Sequence, residues 1–149
     1  QVAQDLPAYV AGVKTLMAQA DWLKASDEDL QTMGFTGVSL AHSQHLVGTL
    51  RSGVSAGVLS RIALTFGADG AHLDVQGQSH QLPVPRISVA DTVGAGDTFW
   101  GNTLADWALQ PAGAHERVAN TLELSMKAAA INCTREGCQP PTLVEVLAF

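Results

Sequence analysis

The chain of 149 residues is 46% hydrophobic and carries a net charge of −6, with 8 Lys and Arg set against 14 Asp and Glu. That length and apolar content suffice for the core of one globular domain and argue against disorder. With no basic run and no apolar stretch of membrane-spanning length, binding to nucleic acid or to an anionic membrane has no physical support, and small-molecule chemistry is expected instead.

Apolar residues at Leu6, Val10, Val13, Leu16 and Met17 predict a helix over 6–20, and a short strand over 21–25 follows. Ser26-Asp27-Glu28-Asp29 reads as the start of a second helix, with Ser26 as its cap and acids in the first turn. A further helix over 40–50 leads into a buried strand at 61–66. Gly67-Ala68-Asp69-Gly70 is a turn, and the runs 71–75 and 79–84 flank Gln76-Gly77-Gln78 as a hairpin at a sheet edge. After Val89 a Gly-rich turn opens a helix over 97–109, a second helix covers about 116–132, and Pro140-Pro141 precede a short terminal helix. Helices alternating with strands predict an α/β sheet covered on both faces. No internal repeat or linker marks a boundary, so the chain reads as one domain or part of one.

Cys133 and Cys138 are not needed to staple a chain of this size, so a reducing, cytoplasmic setting is the default. Their Cys-x4-Cys spacing lacks the second pair that structural zinc requires. Asn132-Cys133-Thr134 matches a glycosylation acceptor, but the N-terminus shows no secretion signal, so the match reads as accidental. His42 and His45 lie at i, i+3 without a third ligand and are expected to be a solvated pair. Trp100, Leu104 and Trp107 form the stripe of a buried helix face.

The chemistry concentrates at Gly94-Ala95-Gly96-Asp97. An extended segment enters this turn and a helix leaves it, an arrangement that points unpaired backbone N–H groups at an anion such as phosphate. Two glycines with only Ala95 between them let the backbone approach closely. Asp97 reads either as a first-turn acid that stabilises the helix or as a general base beside those amides. Two familiar nucleotide motifs are not satisfied. Phe99 stands where a dinucleotide fingerprint wants its third glycine, and Asn102 where a P-loop wants its lysine.

Asp91-Thr92-Val93-Gly94-Ala95-Gly96-Asp97-Thr98-Phe99 resembles the C-terminal signature of the ribokinase-like (PfkB) carbohydrate kinases. Three further segments resemble the family in the same order: 24–29, 64–70 and 132–141. The last of them looks most like bacterial fructokinases, which makes fructose the first substrate expected. The resemblance implies a three-layer α/β sandwich of ribokinase-like type, of which residues 1–149 form the C-terminal nucleotide-binding and catalytic part, with a mostly parallel sheet and an edge hairpin. It implies ATP-dependent phosphorylation of a sugar hydroxyl, with Asp97 as catalytic base and the amides of Ala95, Gly96 and Asp97, after Gly94, as an anion hole.

It further implies that Thr65, Gly67 and Gly70 line the ATP phosphates and ribose, and that Asn132 and Gly137 lie beside the adenine and a cation. Asp91 and the carbonyl of Val93 are the implied ligands of a monovalent cation, potassium in the first instance. Asp91 equally reads as a side-chain cap of its own turn. Glu28 and Asp29 are the candidate acids acting through water on Mg2+. The family's acid here is a glutamate at the position of Asp29, so Asp29 is one methylene short. The chain begins where family members are past their middle, so association with the N-terminal sugar-binding and lid part, or with a second copy, is expected, and catalysis is expected to need it. The rival reading is a non-catalytic nucleotide-binding or interaction module on the same fold.

Overall fold

The computed structural model describes residues 5–53, 59–109 and 113–149. In chain order the elements are α1 (Leu6–Met17), β1 (Trp22–Ser26), α2 (Asp27–Thr32), a 3-10 turn (Leu40–His42), α3 (Ser43–Gly53), β2 (Arg61–Thr65), β3 (Ala71–Val75), β4 (Gln78–Leu82), α4 (Ala95–Leu109), α5 (Val118–Cys133) and α6 (Leu143–Ala148). The four strands form one sheet in the order β1-β2-β3-β4.

Only β1 and β2 run parallel, with Trp22 opposite Arg61 and Ser26 opposite Thr65, while β2–β3 and β3–β4 are antiparallel. The sheet is therefore mixed, where a mostly parallel one was expected. The physical reason is the tight turn at 66–70: Phe66 N–H donates to the Gly70 carbonyl at 2.8 Å and reverses the chain, so β3 returns beside β2. The edge hairpin is present with a shorter loop than the sequence suggested. Val75 pairs with Gln78 across Gln76 and Gly77, both at positive φ (52° and 92°), as a two-residue turn that follows the strand twist requires.

Strand alternation sorts the core into two layers. Ala25, Ile62 and Leu64 face α1, α2 and α3, where Met17, Leu30, Leu46, Val47 and Leu50 are buried. Ala63, Ala71, Leu73 and Val75 face α4 and α5, meeting Phe99, Trp107, Leu122 and Met126. Trp107 is fully buried and takes edge-on contacts from Trp22 at 5.5 Å and Trp100 at 5.7 Å, with the Arg61 guanidinium over two of the three rings. Of the expected stripe, Trp107 is core and Trp100 packs half-buried against it, while Leu104 is half-buried outside that core. On α1 only Met17 is buried, and Leu16 is 72% exposed, so this helix uses little of its apolar surface within the chain.

Candidate active site at the N-terminus of α4

Parallel strands β1 and β2 end side by side at Ser26 and Thr65. Helix α4 packs back across this pair: its C-terminal half meets β1 through Trp107 and Trp22, and a Cβ at Gly96 would lie 3.9 Å from Lys24 Nζ. Its N-terminus thus opens toward the strands' carboxyl ends, the side on which open α/β sheets bind ligands.

The turn into α4 is built from backbone. Gly94 adopts φ 75°, and a Cβ there would meet Cys138 Sγ at 2.2 Å, so any other residue is excluded both by conformation and by contact. Ala95 N–H donates to the Thr92 carbonyl at 3.2 Å, and Thr98 N–H to the Gly94 carbonyl at 2.8 Å. Between them, the N–H groups of Gly96 and Asp97 meet no backbone acceptor among the described residues. Both residues are exposed, and the Gly96 position is free of crowding. Two unpaired donors and the positive end of a fifteen-residue helix therefore converge on solvent beside the Asp97 carboxylate.

A belt of polar contacts fixes this turn to the C-terminal end of α5. Ala90 and Asp91 N–H donate to the Cys133 carbonyl at 2.8 and 3.3 Å. Asn132, fully buried, donates through Nδ2 to the Val93 carbonyl at 2.8 Å and accepts Gln139 N–H at 2.8 Å. That burial closes Asn132 to glycosylation. Asp91 receives Val93 N–H on one oxygen at 3.0 Å and Gly137 N–H on the other at 2.9 Å, and these bonds hold its carboxyl below the usual carboxylate range. Asp91 is thus the turn cap that its position allows. Its carboxylate and the Val93 carbonyl keep further lone pairs, so the pair also has the oxygen chemistry suited to a hard cation.

Of the residues singled out from sequence, the structure brings Asp91, Val93, Gly94, Ala95, Gly96, Asp97, Asn132 and Gly137 into one neighbourhood. Thr65 ends β2 on the same side of the sheet, and Gly67 is exposed in the turn beyond it. Gly70 has a packing role: at φ 139° its missing Cβ makes room for the Leu82 carbonyl, which one would otherwise meet at 2.1 Å. Ser26 and Asp29 form a capping box, with Asp29 N–H on Ser26 Oγ at 3.1 Å and Ser26 N–H on Asp29 Oδ2 at 2.8 Å. Partial burial works to raise the Asp29 pKa, but the Ser26 bonds and the charge of Lys24 bring it below the usual value. Glu28 stands exposed beside it.

Lys24 and Cys138 are the residues that sequence reasoning did not single out here. The available signal for Lys24 was a lone cation inside a five-residue strand, on the same face as Trp22.

Residues 2–144 match the model of the pfkB family carbohydrate kinase. A fructokinase of Rhizobium leguminosarum bv. trifolii is 32% identical over 124 residues, covering 83% of this chain and 36% of that protein. The crystal structure of a Xylella fastidiosa fructokinase with bound ATP is 25% identical, with a TM-score of 0.72 over 93% of this chain and 45% of that one. A Vibrio cholerae fructokinase, crystallised with fructose, ADP and calcium ion, has a TM-score of 0.76 at 22% identity over 98% of this chain and 46% of that one. The chain therefore spans less than half the length of these relatives.

Proposed function

Because the chain belongs to the pfkB family of carbohydrate kinases, we propose that it is the nucleotide-binding and catalytic part of an enzyme that moves the γ-phosphoryl group of ATP to a sugar hydroxyl. The observation that carries this reading is the pair of unpaired amides at Gly96 and Asp97 beside the exposed Asp97 carboxylate. Asp97 takes the proton of the acceptor hydroxyl, and the hydroxyl oxygen forms a bond to the γ-phosphorus. The bond from that phosphorus to the bridging oxygen breaks, and ADP leaves. Throughout, the Gly96 and Asp97 amides hold the negative charge on the non-bridging oxygens, while the Ala95 amide expected to join them is engaged with the Thr92 carbonyl. General-base help of this kind contributes about 10²–10⁴-fold in rate.

Thr65 and Gly67 flank the nucleotide at the end of β2, and Asn132 and Gly137 hold the floor of the turn from α5. Magnesium bound with the nucleotide neutralises phosphate charge; Glu28, whose carboxylate is exposed and outside the capping box, is better placed than Asp29 to reach it through water. Asp91 and the Val93 carbonyl receive a monovalent cation, with potassium as the first candidate. The fructokinase relatives support fructose as the acceptor. The exposed apolar residues of α1 and the outer edge of β1, which pairs with no further strand among the described residues, support association with the remainder of a longer enzyme or with a second copy. A reducing, cytoplasmic setting suits the two free thiols.

The test is phosphate transfer by the full-length protein across a panel of sugars with Mg·ATP. Turnover on a ketohexose or another monosaccharide is expected. ATP binding without turnover on any sugar overturns the kinase reading in favour of a binding module.

A further inference from the structure

Asn132 is the penultimate residue of α5, follows the apolar run Ala128 to Ile131, and is completely buried. Asparagine is a poor helix former and a costly residue to bury unless its polar atoms are matched. Here both ends of the amide are matched by partners outside the helix: Nδ2 donates to the Val93 carbonyl at 2.8 Å, and Oδ1 accepts Gln139 N–H at 2.8 Å. A carbonyl on one side and an N–H on the other fit an amide in one orientation, so neither aspartate nor an aliphatic residue of similar size serves both. No backbone donor among the described residues reaches the Val93 carbonyl. That carbonyl belongs to the peptide entering Gly94, which lies at φ 75° against the Cys138 side chain, next to Gln139. The Gly94 carbonyl then accepts Thr98 N–H at 2.8 Å and starts α4. The Val93–Gly94 peptide is thus gripped between α5 and the 134–139 loop, immediately ahead of the two unpaired amides.

We propose that Asn132 is a positioning residue: its side-chain amide sets the direction of the Val93–Gly94 peptide and so aims the Gly96 and Asp97 amides at the phosphoryl group. This rests on the kinase reading for its effect on turnover, but not for its effect on the shape of the turn. Misdirected amides cost more in the transition state, where charge builds on the transferred oxygens, than in nucleotide binding, so the effect falls on kcat more than on ATP affinity. The Val93 carbonyl is also the oxygen proposed above to receive a monovalent cation. With Asn132 already donating to it, the amide keeps the turn in shape when that cation is exchanged, and the cation is left to tune the local charge.

The experiment uses the full-length protein with Asn132→Ala and Asn132→Ser, neither of which spans both partners, and with Ser125→Ala as control. Ser125 lies two turns earlier on α5, is also buried and accepts from Thr103 Oγ1 at 2.9 Å, so its loss weakens the same helix pair away from the turn. Hydrogen exchange over residues 90–98, affinity for a non-hydrolysable ATP analogue and melting temperature are measured, with kcat and KM on whichever sugar is turned over, in potassium and in a bulky organic cation. For the Asn132 variants the expected result is about a 10–10²-fold loss in kcat with analogue affinity within a few-fold of wild type, a steeper dependence on potassium, and faster exchange over 90–98. Ser125→Ala is expected to lower the melting temperature while kcat and that exchange stay near wild type. Near-normal kcat and exchange in a folded Asn132 variant, or the same losses in Ser125→Ala, overturn the proposal. Should neither Asn132 variant fold, exchange in the wild type decides: protection over 90–98 that survives replacement of potassium supports Asn132 as the holder of the turn, and protection lost with potassium overturns it. If the wild type phosphorylates no sugar, the kinase reading fails while exchange and analogue binding still decide the role of Asn132.

Discussion

Two polar clusters lie on either side of this small sheet, and they differ in what they leave open. Beneath the edge hairpin, Ser43 and His72 are buried with Ser43 Oγ 2.7 Å from His72 Nδ1, and Ser43 donates to Gln81 Oε1 at 2.9 Å. One pleat away, Asp74 is fully buried and accepts from Arg51, from Gly77 N–H at 3.1 Å and from Ser79 Oγ at 2.5 Å. Serine, histidine and aspartate are thus neighbours here, yet the serine is sealed from solvent and its hydroxyl is spent inside the network. At the N-terminus of α4 the reverse holds: donors are unpaired, the carboxylate is exposed and glycine leaves space. Residue type alone points to the first cluster as chemical. Accessibility and unspent hydrogen-bonding capacity point to the second.

Substitutions separate the two clusters. Gly96→Val in the full-length enzyme is expected to cost about 10²–10³-fold in ATP-dependent turnover with little change in melting temperature, because the branched side chain fills the approach to the amides. Steady-state kinetics and a thermal melt on one preparation check this. Asp74→Ala is expected to do the opposite, costing about 3 kcal/mol of stability by stranding Arg51 and the hairpin donors while leaving nucleotide affinity unchanged. Denaturant titration beside a binding assay reads both, and a loss of binding in the folded variant would merge the two clusters into one site.

A smaller effect is expected from the cation. Replacing potassium by a bulky organic cation should lower turnover severalfold, and equal rates in potassium, sodium and the organic cation would remove Asp91 and Val93 from that role. The mildest expectation concerns pH. Burial holds the His72 imidazole below its usual value of 6.5, helped by the neighbouring His80 and opposed by the Asp74 carboxylate, which works to raise it. The unfolded chain therefore takes up a proton below that value which the folded chain does not, so stability is full above it and declines as pH falls through it. Melting temperatures between pH 7.5 and 5 should show this slope, and His72→Gln should flatten it.

The sequence made the turn into α4 legible because its determinants are local. Glycine spacing, a following acid and an amphipathic run lie within one short segment, and the Ser26–Asp29 capping box and the hairpin are local in the same way. What it concealed depends on distant partners. Strand direction at 71–75 followed from the reversal at Gly70, whose need for glycine comes from the Leu82 carbonyl. His72 and Asp74 alternate with apolar residues like a strand open on one side, but α3 supplies Ser43 and Arg51 to cover that face as well. Lys24 gains meaning only when α4 folds back over β1. The stripe of α1 was read correctly as helical, but only Met17 on it is buried among the described residues.

The central claim is that Asp97 accepts the proton of the substrate hydroxyl and does not merely stabilise the start of α4. Asp97→Asn in the full-length enzyme tests it most directly, with melting temperature, ATP affinity and turnover measured on one preparation. A helix-stabilising role predicts a cost of about 1 kcal/mol or less and near-normal turnover, since asparagine is tolerated close to a helix start. A general base predicts a folded protein that binds ATP within a few-fold of wild type and loses about 10²–10⁴ in turnover. A folded Asp97→Asn variant with near-normal turnover would contradict the account.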